Sequence, residues 1–153
     1  MRYFWLLLAV VVTAVIFVNS SLPATESGRL SGVVAQLVLQ LARLTDITLT
    51  GNVEHTIRKL AHFCEYALLG FLLFFTYLSY TRKKLWFFIP SLVGIVIPFC
   101  DEGLQFFSDG RAPSFKDVGI DISGAAFGFL CAWAVYFVVL SIVRAKRKKS
   151  CKG

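Results

Sequence analysis

The stretch LAHFCEYALLGFLLFFTYLSY, Leu60–Tyr80, decides the fold. It has the length of a bilayer span, which needs roughly 20 mostly apolar residues rising about 1.5 Å each. His62 and Glu65 interrupt it near its start. An ionisable side chain inside a span is costly, so it faces protein or water rather than lipid and marks a site.

Three further apolar runs flank this one. Tyr3–Val18 precedes it, Leu85–Cys100 follows, and Val118–Val143 comes last. The first is short for a span. Arg2 before it and Val18-Asn19-Ser20 after it also resemble the layout of a cleaved signal peptide, and either outcome leaves the later spans oriented alike. The third is long enough only if its helix continues through Asp101, Glu102 and Gln105 to Phe107. The last contains Asp121. The pattern predicts an all-α, polytopic helical bundle forming a single domain over 1–153, with spans near 3–19, 59–80, 85–107 and 118–143 and a basic tail over 144–153. Composition agrees: the 153 residues are 57% hydrophobic with a mean hydropathy of +0.70, which excludes an ordinary soluble domain.

Charge sets the expected orientation. Arg2, the turn Arg82-Lys83-Lys84 and the tail from Arg144 put ten of the sixteen Lys and Arg residues on one side. Arg29, Arg43, Arg58, Lys59, Arg111 and Lys116 fall on the other, together with all nine acids. The positive-inside rule then places both termini in the cytoplasm. The net charge of +7 is accounted for by topology and anionic lipid, so no nucleic-acid partner is expected. The cysteines Cys64, Cys100, Cys131 and Cys151 have no CxxC spacing, so neither a disulfide framework nor a zinc site is expected from them.

The linker 20–52 opens as a loop, SSLPATESG. Leu30, Val33, Val34, Leu37, Val38, Leu41 and Leu44 then follow helical spacing, with Gln36, Gln40 and Arg43 off the stripe. That predicts an amphipathic helix on the outer membrane surface or packed over the bundle. Asn52 is the expected N-cap of the second span.

Polar residues gather at the outer ends of the spans. His55, Arg58, His62 and Glu65 recur at three and four residues and share a helical face. Asp101 and Glu102 each lie about one turn from Gln105. Asp117, Asp121, Gly124 and Gly128 share a face of the last span, and the GxxxG pair there permits close helix contact.

The blocks RKLAHFCEYALLG, from Arg58, and DEGLQFFSDGRAPSFKDVGIDISGAAFG, from Asp101, resemble the VanZ-like membrane proteins of bacteria, the teicoplanin resistance protein family. The signature residues carried over are Arg58, Lys59, His62, Glu65, Tyr66, Asp101, Glu102, Gln105, Gly110, Arg111, Asp117, Asp121 and Gly124. Asp121 departs from the Asn common near that position. The resemblance implies a cell-envelope protein with a link to glycopeptide resistance, and no defined activity.

Three readings of the residues stay open. In an enzyme, His62, Glu65, Asp101 and Glu102 are the catalytic candidates. Arg58, Lys59, Tyr66, Gln105, Arg111, Asp117 and Asp121 then bind substrate, the arginines holding a phosphate or carboxylate. In a binding protein, the same groups grip an outer-leaflet lipid or lipid-linked precursor without chemistry. In a purely structural role they form salt bridges that fix helix packing. Within the enzyme reading, Asp101 and Glu102 orient the base or ligate a divalent ion, and a His–carboxylate cluster could take Zn²⁺ or Mg²⁺. Only His62 and His55 could join the carboxylates, so no metal ligand is assigned and the cofactor stays open. Oligomeric state is open.

Overall fold

The computed structural model describes residues 2–23, 32, 36, 38, 40, 53–80, 87–108 and 114–150, the side chains at 2, 54, 149 and 150 excepted. Four long helices make up the fold: α1 (Arg2–Ser21), α2 (Val53–Tyr80), α3 (Phe88–Gln105) and α4 (Phe115–Ser150). Each contains a stretch long and apolar enough to cross a membrane. Of the expected linker helix, Gly32, Gln36, Val38 and Gln40 are helical, and the rest of it lies outside the described residues, as does Asn52.

The helices run alternately up and down. Asn19 of α1, Glu65 of α2, Asp101 of α3 and Asp121 of α4 all fall at one end. Tyr3 and Tyr80 meet at the other, ring edge to face at 6.4 Å. The core between them is thin: Ala9 and Ile16 of α1 pack on Tyr66, Leu69, Leu72 and Leu73 of α2 and Ala125 of α4. Trp5 stacks on Phe75 with ring centroids 4.9 Å apart. Outside the core, Leu68, Phe99, Phe127, Leu130, Trp133 and Phe137 are exposed. Such a surface would drive association in water and suits lipid. Hydroxyls within the spans are satisfied locally: Thr13, Thr76, Ser79 and Ser141 donate to the carbonyl four residues back at 2.8–2.9 Å.

The tightest contact is between α2 and α4. A Cβ at Gly124 would strike the backbone of Phe63, and one at Gly128 the backbone of Ala67. The GxxxG pair therefore serves packing inside the bundle, where small residues let two backbones meet. Gly70 of α2 lies equally close to the Ala125 carbonyl.

α2 is helical from Val53, so His55 and Arg58 stand on the helix as their spacing predicts. Helix ends differ from the sequence estimate in two places. α3 stops at Gln105, and Phe106 and Phe107 form a turn whose amide donors use the carbonyls of the last helical turn. α4 begins at Phe115 and continues as helix through the basic run to Ser150, because nothing from Arg144 to Ser150 is a helix breaker.

Candidate functional site

The polar end of the bundle has two layers. The outer layer is a rim of mostly paired groups. Lys59 Nζ pairs with Asp117 Oδ1 at 2.8 Å, joining α2 to α4 with both side chains about one-third exposed (32% and 33%). Glu102 accepts a hydrogen bond from the Ser114 backbone N–H, just before α4. A carboxylate there complements the positive end of the helix. Ser114 itself caps α4: its Oγ accepts from Lys116 N–H at 3.2 Å and its carbonyl from Asp117 N–H at 2.9 Å. Ser108 Oγ donates to the Ser20 carbonyl at 3.1 Å, tying the end of α3 to the end of α1.

About one turn deeper lies a second layer. Asp101 is wholly buried and Asp121 is 2% exposed, while His62 is half-buried. These three come from α3, α4 and α2, and one ligand-capable atom from each lies within 4.8 Å of the others. Ser20, Tyr66 and Gln105 border the Asp101 carboxyl. Yet neither Asp101 oxygen has a hydrogen bond of good geometry, and Ser20 Oγ, Tyr66 Oη and His62 Nδ1 are likewise buried and unpartnered. Beside them, Glu65 Oε1 accepts from Asn19 Nδ2 at 3.0 Å.

A pocket of about 30 Å³ opens between the layers, lined by Arg58, Lys59, His62, Gln105, Asp117, Ile120 and Asp121. A water needs roughly 10–15 Å³ by the same measure, so the pocket admits an ion, a water or two, or a single small functional group. On the apolar side, a crevice of about 1040 Å³ runs between α2, α3 and α4. Ile122 and Ala125 form the end of it nearest Asp121, and Phe74, Phe129, Trp133 and Tyr136 line its length.

The structure thus brings together His62, Asp101 and Asp121, with Tyr66, Gln105 and Glu65 beside them and Arg58, Lys59 and Asp117 at the mouth. It sets Glu102 apart, at the start of α4, although its second oxygen is buried without a partner. Arg111 and Gly110 lie outside the described residues. Two contributors were missed in the sequence, Asn19 and Ser20. The signal was there: three successive polar residues, Asn19-Ser20-Ser21, end an otherwise apolar run. Val18-Asn19-Ser20 also fits the layout of a cleavage site, which obscures that signal. Ser114 was also missed as an N-cap, although Ser-Phe-Lys-Asp has the spacing of a capping box.

With this geometry in place, comparison with known proteins settles the class. The chain is an integral membrane protein built on four membrane-capable helices. Residues 4–139 match the model of the VanZ/LLP1 family, and the chain belongs to that family. The link to glycopeptide resistance is a property of the family. No curated protein and no solved structure matches the chain.

Proposed function

We propose that this protein engages a phosphate- or carboxylate-bearing lipid, or a lipid-linked envelope precursor, at the outer leaflet of a bacterial plasma membrane, with both termini cytoplasmic. Its effect would be to modulate susceptibility to envelope-acting agents such as glycopeptides. One observation carries the reading: the small pocket in which Arg58 and Lys59 stand over His62, Gln105 and Asp121. A guanidinium fork matches a phosphate or carboxylate, and the pocket is large enough for one such group of a larger molecule. The rest of that molecule would lie outside the pocket, its hydrocarbon chain in the apolar crevice that begins near Ile122. The positive-inside bias supports an outward-facing pocket.

The salt-bridge alternative gains support only at the rim, from Lys59 and Asp117. Among the described residues no Lys or Arg pairs with Glu65, Asp101, Glu102 or Asp121. Buried charges that served packing alone would be paired.

Two measurements test the proposal. In a cysteine-free background, Lys116→Cys should be labelled from outside intact cells by an impermeant thiol reagent. Labelling only after permeabilisation overturns the outer-face site. Protein extracted in polymer nanodiscs should carry one class of anionic lipid above its bulk abundance, and Arg58→Gln should lose that enrichment. A bound-lipid composition equal to the bulk membrane removes the reading.

A further inference from the structure

We infer that His62, Asp101 and Asp121 form a binding site for a divalent transition-metal cation, of which Zn²⁺ is the best chemical match. The site does not depend on the lipid reading above. Two independent observations converge on it. The first is geometric: three ligand-capable side chains from three helices, far apart in sequence, place one donor atom each within 4.8 Å of the others. In a bound site with metal–ligand distances of about 2.0–2.2 Å, the donor atoms would stand roughly 3.3–3.5 Å apart. Side-chain rotation of an ångström or so closes that gap.

The second observation is what these groups lack. Asp101 is completely buried, yet both of its carboxyl oxygens are without a hydrogen bond, as is the buried Nδ1 of His62. Tyr66 and Ser20, each completely buried, hold unpartnered hydroxyls beside the same carboxyl. A buried polar group without a partner costs about 1–3 kcal/mol, and a charged one more. Small rotations would let the Ser20 and Tyr66 hydroxyls donate to Asp101, but they add no positive charge to offset the acids. Buried charges are found paired or coordinating metals, and among the described residues no Lys or Arg pairs with Asp101 or Asp121, leaving His62 as their neighbour.

The donor set narrows the cation. One imidazole and two carboxylates give a mixed nitrogen–oxygen site with three protein ligands. Ca²⁺ demands six to eight oxygens, and Mg²⁺ is seldom held by imidazole. Zn²⁺ accepts His and Asp together, and its reactive sites carry three protein ligands with one open position. That position faces the pocket lined by His62 and Asp121, which is roomy enough for a water. The Tyr66 and Ser20 hydroxyls would donate to the Asp101 oxygen turned away from the metal, the usual outer-shell support of a ligating carboxylate.

The test uses the full-length protein, purified in detergent with a tag that contains no histidine and stripped with a chelator. Zn²⁺ alone is then added, and binding is followed by competition with a chromophoric chelator and by thermal melting. The expected result is saturable binding of one Zn²⁺ per chain with a rise in melting temperature. Asp101→Asn and Asp121→Asn should each weaken binding by at least about 100-fold, and Tyr66→Phe by roughly 10–100-fold. Glu102→Gln, on the rim, should bind as the parent does. Because the first measurement needs only the parent protein, a variant that fails to accumulate leaves the inference testable. Absence of stoichiometric Zn²⁺ binding by the parent overturns it. So does binding that Asp101→Asn and Asp121→Asn leave undiminished, the outcome expected if Zn²⁺ sits on cysteine thiols.

Discussion

Asp101 and Glu102 are neighbours in the chain and belong to different worlds. Glu102, in the rim layer, accepts the Ser114 N–H at the start of α4. Asp101, facing the deep layer, is bordered by Ser20, Tyr66, Gln105 and His62, with no hydrogen bond of good geometry to either oxygen. The rim is the better paired of the two layers, with Lys59 on Asp117 and Ser114 capping α4, although one Glu102 oxygen is buried without a partner, and it holds helix ends together. The layer a turn below is unsatisfied, and it adds little to holding the fold. In a natural protein, cost without structural return marks a place kept for something else.

Substitutions can break or sharpen this contrast. The largest effect is expected from Gly128→Leu, which drives a side chain into the Ala67 backbone and separates α4 from α2, dismantling both layers at once. Overpacking of this kind costs about 3 kcal/mol or more, so the variant should fail to accumulate on an immunoblot of membranes. Glu102→Ala strips the Ser114 N–H of its acceptor and should lower stability by about 1–3 kcal/mol in a detergent melt. Asp101→Asn should move the other way. Removing a buried, unpartnered carboxyl should raise the melting temperature of metal-free protein, by the equivalent of about 1–2 kcal/mol, while abolishing any envelope phenotype. If Asp101→Asn instead destabilises as much as Glu102→Ala, the two layers are not distinct. Smallest of all, Lys59→Met should change stability by under about 1 kcal/mol, and added salt should shrink the difference further, as for any partly exposed ion pair.

Much of this was legible in the sequence because membrane spans carry strong, local signals. Hydropathy pointed to the four helices, and the polar residues at the outer ends of their runs put His62, Asp101 and Asp121 among the candidates, undivided from Glu65, Glu102 and Arg111. The Gly124–Gly128 pair pointed to a close helix crossing. What sequence could not give was the partner of each polar group. Asp101 and Glu102 look alike in a string of letters, and only the crossing of α3 over the start of α4 tells a cap from an unbonded acid. Asn19 and Ser20 were lost for a different reason. Small polar residues after a short apolar run carry the same pattern whether they are a protease site or the top of a packed helix. Only the contacts of Asn19 with Glu65 and of Ser20 with Asp101 show that these side chains border the deep layer.

The order in which polar groups occur along the chain also bears on how the protein enters the bilayer. An acid at the centre of a helix costs about 2.5–3.5 kcal/mol on insertion, and fewer groups can offset this early in synthesis than late. Here each acid emerges after its neighbours. Asn19 is already in place when Glu65 arrives. Ser20, His62 and Tyr66 precede Asp101, and His62 and Asp101 precede Asp121. A chain lacking α1 would deliver Glu65 into the bilayer without Asn19, and Asp101 without Ser20.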